Sequence, residues 1–184
     1  MKNQMISVIL CAYNPRKVYL DRVLDSLDAQ TLDKTNWEFI LIDNNSSIPI
    51  SSTVDLSWHP EAKVIVETEQ GHTVSRLRGF REARGEICVC VDDDNVLAPD
   101  YLEKVVSMFD EKPFIGTAGG RIEGEFEIDL PDFARPRVRD LAIREVKHKT
   151  WVCGTDIKLL DFAPCGAGLV IRREVAEKYA IIHN

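Results

Sequence analysis

Three consecutive aspartates, Asp92, Asp93 and Asp94, follow directly on the apolar stretch from Ile87 to Val91. The stretch predicts a buried strand, so the carboxylates would stand where the chain leaves the core. Neighbouring carboxylates repel one another, and the repulsion grows as water is removed. A positive partner is therefore expected, and a hard divalent cation bound through carboxylate oxygens is one candidate. The alternative is an acidic turn in which Asp92 or Asp94 caps the next helix.

A metal at this turn would bring a phosphate-bearing ligand with it, because Mg²⁺ is often held by only one or two carboxylates with phosphate and water. Arg76 and Arg78, in a helix-like segment after Gly71, are suited to pair with phosphates. Asp43 follows another apolar stretch and could accept a hydrogen bond from a base N–H, while Tyr13 could stack on that base. Each residue also has an ordinary explanation: Asp43 in an Asx turn, Tyr13 at the rim, and the arginines on a solvated helix face. These separate explanations do not predict that all of the residues lie at one edge of the sheet.

Strand and helix patterns alternate along the first two thirds of the chain. Four apolar runs predict strands: "ISVILCAY", "WEFILID", "AKVIVET" and "EICVCV". Three helical patterns separate or follow them, one ending near Gln30, one stopped by Gly85, and one with Pro99 and Asp100 in its first turn. The segment between the second and third runs predicts a loop with at most a short helix. The alternation predicts an α/β fold with a mainly parallel sheet and ligands at the strands' carboxyl ends.

The last third of the chain has weaker patterns. "FIGTAGGRIEG" predicts a strand with a glycine-rich turn, and "LLDFAPCGAGLVIRREVAEKYA" predicts a glycine-rich loop, a short strand and the start of a helix. The basic segment 135–149 could form a helix that faces an acidic acceptor or a membrane surface. A solvated helix face is the simpler explanation and is favoured.

The composition suits one globular domain outside the nucleic-acid-binding class. The 184 residues are 45% hydrophobic and 29% charged, with a net charge of -7. No apolar run reaches the roughly 18 residues of a membrane span, and no secretory signal opens the chain, so the cytoplasm is the default location. Five cysteines without framework spacing predict reduced core residues. A zinc site at Cys88 and Cys90 is disfavoured.

Four stretches resemble, in order, the family 2 glycosyltransferases with the GT-A fold: "ISVILCAYN", "EFILIDNNSS", "GHTVSRLRGFREARGEICVCVDDDN" and "CGAGLVIRREV". The resemblance covers nearly the whole chain. It implies a three-layer α/β/α domain with a mainly parallel sheet, a UDP- or GDP-linked sugar donor, a Mn²⁺ or Mg²⁺ ion, and transfer to an acceptor hydroxyl with inversion. Cell-envelope polysaccharide or glycolipid synthesis, with a saccharide or lipid-linked acceptor and peripheral contact at the inner face of the membrane, is the family-level expectation.

The resemblance also implies a set of site residues. Carried over residue by residue, it assigns nucleotide contacts to Ala12, Tyr13, Asn14, Asp43, Gly71, Arg76, Asp92 and Asp93. Asp94 is expected to be the main metal ligand, assisted by Asp92. The loop next to the acceptor would be formed by Gly166, Ala167 and Gly168.

The resemblance treats residues 1–184 as one domain, with a donor-binding part at 1–124 and the start of an acceptor-side part at 125–184. The family's catalytic base is an acidic residue further along than Arg173. Asp156 and Asp161 lie too early for it, so the base is expected beyond Asn184 and the sequence is interpreted as truncated at its C-terminus.

Two other functions fit parts of the pattern. A non-catalytic nucleotide-sugar-binding module would use the same donor site without turning the donor over. A metal-dependent nucleotidyltransferase would usually carry a glycine-rich basic loop after the first strand, where this chain has "CAYNPRK". A dinucleotide-dependent oxidoreductase is disfavoured because no G-x-G-x-x-G follows that strand.

Overall fold

The structure is a computed structural model that describes residues 5–143 and 164–182. Its strands are β1 (Ile6–Ala12), β2 (Trp37–Asp43), β3 (Ala62–Val66), β4 (Ile87–Asp92), β5 (Thr117–Ala118) and β6 (Leu169–Arg172). Its α-helices are α1 (Lys17–Asp28), α2 (His72–Glu82), α3 (Tyr101–Glu111) and α4 (Arg173–Ile182). Short 3₁₀ helices span Lys34–Asn36, Ile50–Ser52 and Arg135–Leu141.

The strands form one mainly parallel sheet in the order β3-β2-β1-β4-β6-β5. β1 lies parallel to both β2 and β4, whereas β6 runs antiparallel to β4 and β5. In this register Ala12 pairs with Asp43 and Cys11 with Asp92. The carboxyl ends of β1, β2 and β4 therefore meet at one edge of the sheet.

Helices cover both faces of the sheet, which gives three layers. Buried side chains of α1 and α3 share one core cluster with alternate residues of β1, β2 and β4. Residues of α2 and α4 share a second cluster with the intervening residues of the same strands. The α/β fold class and its mainly parallel sheet are thus confirmed. Among the residues described, no helix is long and apolar enough to cross a lipid bilayer.

The cysteines Cys88 and Cys90 lie in the second cluster, on one face of β4. Both thiols are free and nearly inaccessible, with 0% and 2% exposure. Burial raises the pKa of each thiol to about 12, so both remain protonated. They fill core space as reduced residues, as predicted. Cys153 lies outside the described residues.

The first helix was predicted to end near Gln30, and α1 ends at Asp28. The Gln30 side chain links two helices. Its Nε2 donates to Ser26 O at 3.0 Å and to Ala98 O at 2.9 Å, and its Oε1 accepts from Leu102 N at 3.1 Å. That last bond satisfies a free amide in the first turn of α3.

The prediction that Pro99 and Asp100 lie in the first helical turn was wrong, since α3 begins at Tyr101. Asp100 precedes the helix, and its side chain makes no capping hydrogen bond. It pairs with Lys104 at 2.6 Å instead.

Gly85 does not stop a helix, which corrects the sequence interpretation. α2 ends at Glu82, and Ala83 is already extended. A Cβ atom at Gly85 would lie 2.6 Å from both Met5 O and Ser7 N, which belong to the backbone entering β1. Glycine is required here because two backbones approach closely.

In the last third of the chain, the predicted loop, short strand and helix are confirmed by Gly166–Gly168, β6 and α4, whereas two other predictions differ from the structure. In the predicted strand near Gly116, only Thr117 and Ala118 pair. The described part of the basic segment is a 3₁₀ helix, and its remainder lies outside the described residues. Arg135 and Arg137 pair with Asp132 and Asp140.

A buried carboxylate, that of Glu38, joins three chain segments at the amino edge of the sheet. Glu38 is 0% exposed, and its Oε1 accepts from Ser7 Oγ at 2.7 Å and from Arg84 N at 2.6 Å. Its Oε2 accepts from Arg84 Nε at 2.9 Å. Gly85 N donates to the same Ser7 hydroxyl at 2.8 Å. Burial raises the pKa of Glu38, but hydrogen bonds from Ser7 and Arg84 outweigh it and hold the pKa below its usual value.

We expect Gly85→Ala to lower the free energy of unfolding by about 2 kcal/mol or more, because the added methyl meets rigid backbone. Urea denaturation checks this. Gly116→Ala is the matched control, since its Cβ would meet only a side-chain atom, Val175 Cγ2, at 3.3 Å. Equal urea midpoints for the two variants would contradict the close-approach explanation.

We expect Glu38→Gln to be about 1–3 kcal/mol less stable than the parent at pH 7, because Gln cannot accept all the bonds of the carboxylate. A folded-state pKa below the unfolded one gives stability that is present above the unfolded pKa and lost as the pH falls. The difference should therefore shrink between about pH 5 and pH 3. Denaturation at several pH values measures it, with Glu61→Gln, half-exposed beside Arg84, as control. A pH-independent difference would contradict the assignment.

Candidate functional site

The loops that follow β1 and β2 lock together at the carboxyl edge of the sheet. Asn14 has a positive φ of 47°, which suits Asn better than most residues. Its Oδ1 accepts from Ser47 N at 2.8 Å, and its backbone N–H donates to Ser46 Oγ at 2.9 Å. Asn14 thus holds one strand-end loop against the other. Tyr13, beside it, is 52% exposed, so its ring is accessible from solvent.

Asp43 anchors the loop that follows β2. The residue is 2% exposed, and its two carboxylate oxygens accept from Ser46 N and Ile50 N, each at 2.9 Å. This is the Asx-turn role that the sequence left open. A carboxylate oxygen that accepts one hydrogen bond retains a second lone pair. Contact of Asp43 with a base therefore stays a prediction, as does that of Ala12, which is 4% exposed.

Asn44 is a positioning residue that the sequence patterns did not single out. Its Nδ2 donates to Glu67 O at 3.1 Å and to Glu69 O at 2.7 Å, and its Oδ1 accepts from Gly71 N at 2.8 Å. The side chain thereby fixes the loop between β3 and α2. Gly71 precedes α2 with φ 149°, a conformation that favours glycine. The signal for Asn44 was its place immediately after a buried strand.

Arg76 supplies the positive charge that the acidic turn was expected to need. Its Nη2 donates to Asp92 Oδ1 at 3.2 Å and lies 3.1 Å from His72 Nε2. His72 Nε2 is itself 3.4 Å from the same Asp92 oxygen. One turn of α2 therefore presents two nitrogen-bearing side chains to the end of β4. His72 was missed, although its spacing of four residues from Arg76 places both on one helix face.

Arg78 does not join this group, contrary to the sequence prediction. Residues two apart on a helix point to different sides. Arg78 Nε donates to Glu82 Oε1 at 2.9 Å, and its Nη1 lies 3.5 Å from Glu67 Oε2. Its charge is taken up by these carboxylates away from the acidic turn.

The acidic turn carries electrostatic strain that a cation would relieve. Partial burial, followed by the charges of Asp94 and Asp92, raises the pKa of Asp93. Asp94 is exposed, with Oδ1 accepting from Asn95 Nδ2 at 3.0 Å. Asn95 Oδ1 and Arg76 Nε are buried atoms without a hydrogen-bond partner among residues 5–143 and 164–182. Buried polar atoms are normally paired with protein groups or water, and ligand binding at this turn stays a prediction.

The donor set fits a hard cation held by few protein ligands. Within residues 5–143 and 164–182, no cluster of three or more His, Cys, Asp or Glu side chains could hold a metal by itself. Asp92 and Asp94 offer carboxylate oxygens on one turn. Mg²⁺ and Mn²⁺ accept such ligands, and phosphate and water can complete the shell of Mg²⁺. Metal binding by this turn stays a prediction.

The glycine loop before β6 lies against the donor-side residues. Leu169 pairs with Cys90 of β4, so the loop stands at the same sheet edge as Asp92. A Cβ atom at Gly166 would lie 3.0 Å from Arg76 Nη2. Gly168 has φ 66°, and its carbonyl accepts from the Tyr101 hydroxyl at 2.5 Å. Ala167 stands between the two glycines. Tyr101 was not recognised from the sequence, and Asp156 and Asp161 lie outside the described residues.

Comparison with known proteins agrees with this arrangement. The family model described as "Glycosyl transferase family 2" matches residues 7–179. An uncharacterised glycosyltransferase of Haemophilus influenzae is 33% identical over 111 residues, 60% of this chain and 36% of that protein. Dolichol-phosphate mannosyltransferase of Saccharomyces cerevisiae is 31% identical over 118 residues, 60% of this chain and 43% of that protein. The alignments thus span less than half the length of these two relatives.

Solved structures share the fold. Staphylococcus aureus TarS, residues 1–349 in complex with UDP, superposes with a TM-score of 0.61 at 23% identity, covering 70% of this chain and 38% of that one. The mannosyltransferase PcManGT of Pyrobaculum calidifontis, in complex with GDP-Man and Mn²⁺, superposes with a TM-score of 0.57 at 26% identity. That match covers 65% of this chain and 36% of the other.

We expect Asn44→Asp to loosen the loop between β3 and α2, because a carboxylate would face the carbonyls of Glu67 and Glu69. The stability loss should be about 2 kcal/mol, that of buried groups left unpaired. Amide hydrogen exchange at Gly71 and His72 measures the loosening. Asn45→Asp is the control, since Asn45 is exposed with φ 63°, which Asp tolerates. Unchanged exchange in Asn44→Asp would contradict the positioning role.

Proposed function

Because the chain belongs to glycosyl transferase family 2, we propose that it transfers a sugar from a UDP- or GDP-linked donor to an acceptor hydroxyl, with inversion. The observation that carries the proposal is the contact of Arg76 with Asp92 at 3.2 Å, at the end of β4 beside Asp94. Solved relatives of this fold bind UDP, UDP-GlcNAc, or GDP-Man with Mn²⁺, which supports a nucleotide-sugar donor here.

The nucleotide would lie over the carboxyl ends of β1 and β2. The exposed ring of Tyr13 can stack on the base, with Ala12 and Asn14 bordering base and ribose. Asp43 has lone pairs left to accept a base N–H. The α2 end nearest Gly71 and the Arg76 guanidinium then face the diphosphate. An arginine fork matches phosphate geometry, and its charge offsets that of the departing nucleoside diphosphate.

The metal would be held by Asp94 with help from Asp92, and Asp92 or Asp93 would face the ribose and the donor sugar. When bound, Mn²⁺ or Mg²⁺ supplies Lewis-acid stabilisation of the diphosphate. Arg76 donates to Asp92, and this hydrogen bond orients the carboxylate at the sheet edge. Orientation in advance lowers the entropic cost of assembling the site.

The reaction would be a single displacement at the anomeric carbon. The acceptor oxygen forms the new bond while the bond to the diphosphate oxygen breaks, and a carboxylate base takes the acceptor proton. We place this base, an acidic residue, after Arg173. Residues 1–124 would form the donor part, and the acceptor part would start at 125, with Gly166, Ala167 and Gly168 beside the acceptor.

The acceptor is proposed to be a saccharide or lipid-linked glycan of the cell envelope, reached by peripheral contact with the inner face of the membrane. Exposed apolar side chains between β5 and residue 143 support this, since Ile128 is 74% and Phe133 83% exposed. Exposed aromatic and aliphatic side chains are suited to contact with the headgroup region of a lipid surface.

Calorimetric titration with UDP and with GDP, each with and without Mn²⁺, tests the donor site. We expect one nucleotide to bind in a metal-dependent way, and Asp94→Asn to weaken that binding at least about tenfold. Asp110→Asn, an exposed aspartate on α3, is the matched control and should bind like the parent.

Failure of the folded parent to bind either nucleotide would overturn the donor-site assignment. Binding without turnover of the donor by the full-length protein, supplied with acceptor, would favour the non-catalytic module instead. Retained metal-dependent binding in Asp94→Asn would remove Asp94 as the main ligand.

A further inference from the structure

The loop from Gly166 to Gly168 is held from two sides. On one side Tyr101, the first residue of α3, reaches the loop through its hydroxyl. On the other side the Arg76 guanidinium of α2 lies against Gly166. The loop therefore bridges two helices that cover opposite faces of the sheet. A displacement of the loop would therefore change the position of the Arg76 guanidinium.

Tyr101 fixes the loop at Gly168. The hydroxyl donates to Gly168 O at 2.5 Å, and a Cβ at Gly168 would lie 3.1 Å from that hydroxyl oxygen. The ring also packs against Gly120, where a Cβ would lie 3.4 Å from Cε2. Burial raises the pKa of Tyr101 to about 12, so the hydroxyl remains a donor at any physiological pH.

The lack of a side chain at Gly166 lets the guanidinium group of Arg76 lie directly against the loop. A Cβ at this position would lie 3.0 Å from Arg76 Nη2, 3.3 Å from Nη1 and 3.6 Å from Cζ. The loop therefore covers the guanidinium group itself rather than its aliphatic stem. Nη2 is also the atom that donates to Asp92 Oδ1 at 3.2 Å. A methyl group at 166 would make the guanidinium shift by a few tenths of an ångström, and the shift would alter its contact with Asp92.

We propose that Tyr101 and Gly166 are positioning residues for Arg76: the loop they fix sets where the guanidinium meets Asp92, and so sets the affinity for the nucleoside diphosphate. The loop expected beside the acceptor thus acts on the donor as well. The inference rests on the proposed donor site. It adds two residues that the sequence resemblance did not connect with the diphosphate.

A double-mutant analysis tests the proposal. The probe is UDP or GDP, whichever the parent binds, with Mn²⁺, and the dissociation constant is measured for the parent, Tyr101→Phe and Gly166→Ala. We expect each variant to bind about fivefold more weakly, the effect of one misplaced charge-assisted hydrogen bond. In an Arg76→Lys background neither change should weaken binding further, because the group they position is gone.

Two matched control variants distinguish a specific effect on Arg76 from a general loss of stability. Tyr19→Phe removes a tyrosine hydroxyl but keeps the ring that contacts Arg16, and Gly116→Ala adds a methyl near Val175. Both should bind like the parent. Parental affinity in both Tyr101→Phe and Gly166→Ala would overturn the proposal. The same fivefold loss in the Arg76→Lys background would overturn it as well.

A second readout needs no nucleotide. Side-chain ¹⁵N NMR gives an Arg76 Nε–Hε signal, identified by its loss in Arg76→Lys. We expect the signal to shift in Tyr101→Phe and Gly166→Ala and to stay in place in both controls. A parent that binds no nucleotide would sink the proposed function, while the signal still tests the positioning. An unmoved Arg76 signal in both variants would overturn the inference.

Discussion

The buried carboxylate of Glu38 ties β1, β2 and the connection before β4 together at the amino edge of the sheet. A fully buried charge is tolerated only when its hydrogen bonds are met, so these segments cannot separate without a large cost. The strands are parallel and paired in register, so order at one edge is transmitted to the other. Ala12, Asp43 and Asp92 therefore end side by side.

From the carboxyl edge of the sheet, a series of contacts leads to the guanidinium group of Arg76. Asn44 fixes Gly71, Gly71 opens α2, and α2 carries Arg76 to Asp92. The protein has a net charge of -7, yet here a local positive group stands over the acidic turn. Arg76 offsets only part of the charge of the three aspartates, so a divalent cation would have to complete the site before it attracts an anionic ligand.

Sequence periodicity was sufficient to predict β1 to β4 and the existence of the helices that follow them. It also predicted the grouping of Tyr13, Asp43 and Asp92 at one edge, because strand direction alone places them. Helix spacing likewise brought Arg76 into consideration. Helix spacing places Arg76 and Arg78 on different sides of α2, but only tertiary packing shows which side faces Asp92. The roles of Asn44 and Tyr101 depend on contacts with distant segments. Gly85 was interpreted as a helix stop because the local sequence pattern contains no information about contacts with distant segments. The backbone that enters β1 is such a segment, and it approaches Gly85 closely.

The two buried thiols of β4 allow the opening of this strand to be measured by chemical labelling. Cys88 and Cys90 react with thiol reagents only as thiolates, and their high pKa and burial suppress that form in the native protein. Labelling therefore proceeds through transient opening of β4, the strand that ends in Asp92. The labelling rate therefore measures how often β4 opens. A ligand that binds only the closed state would slow the labelling.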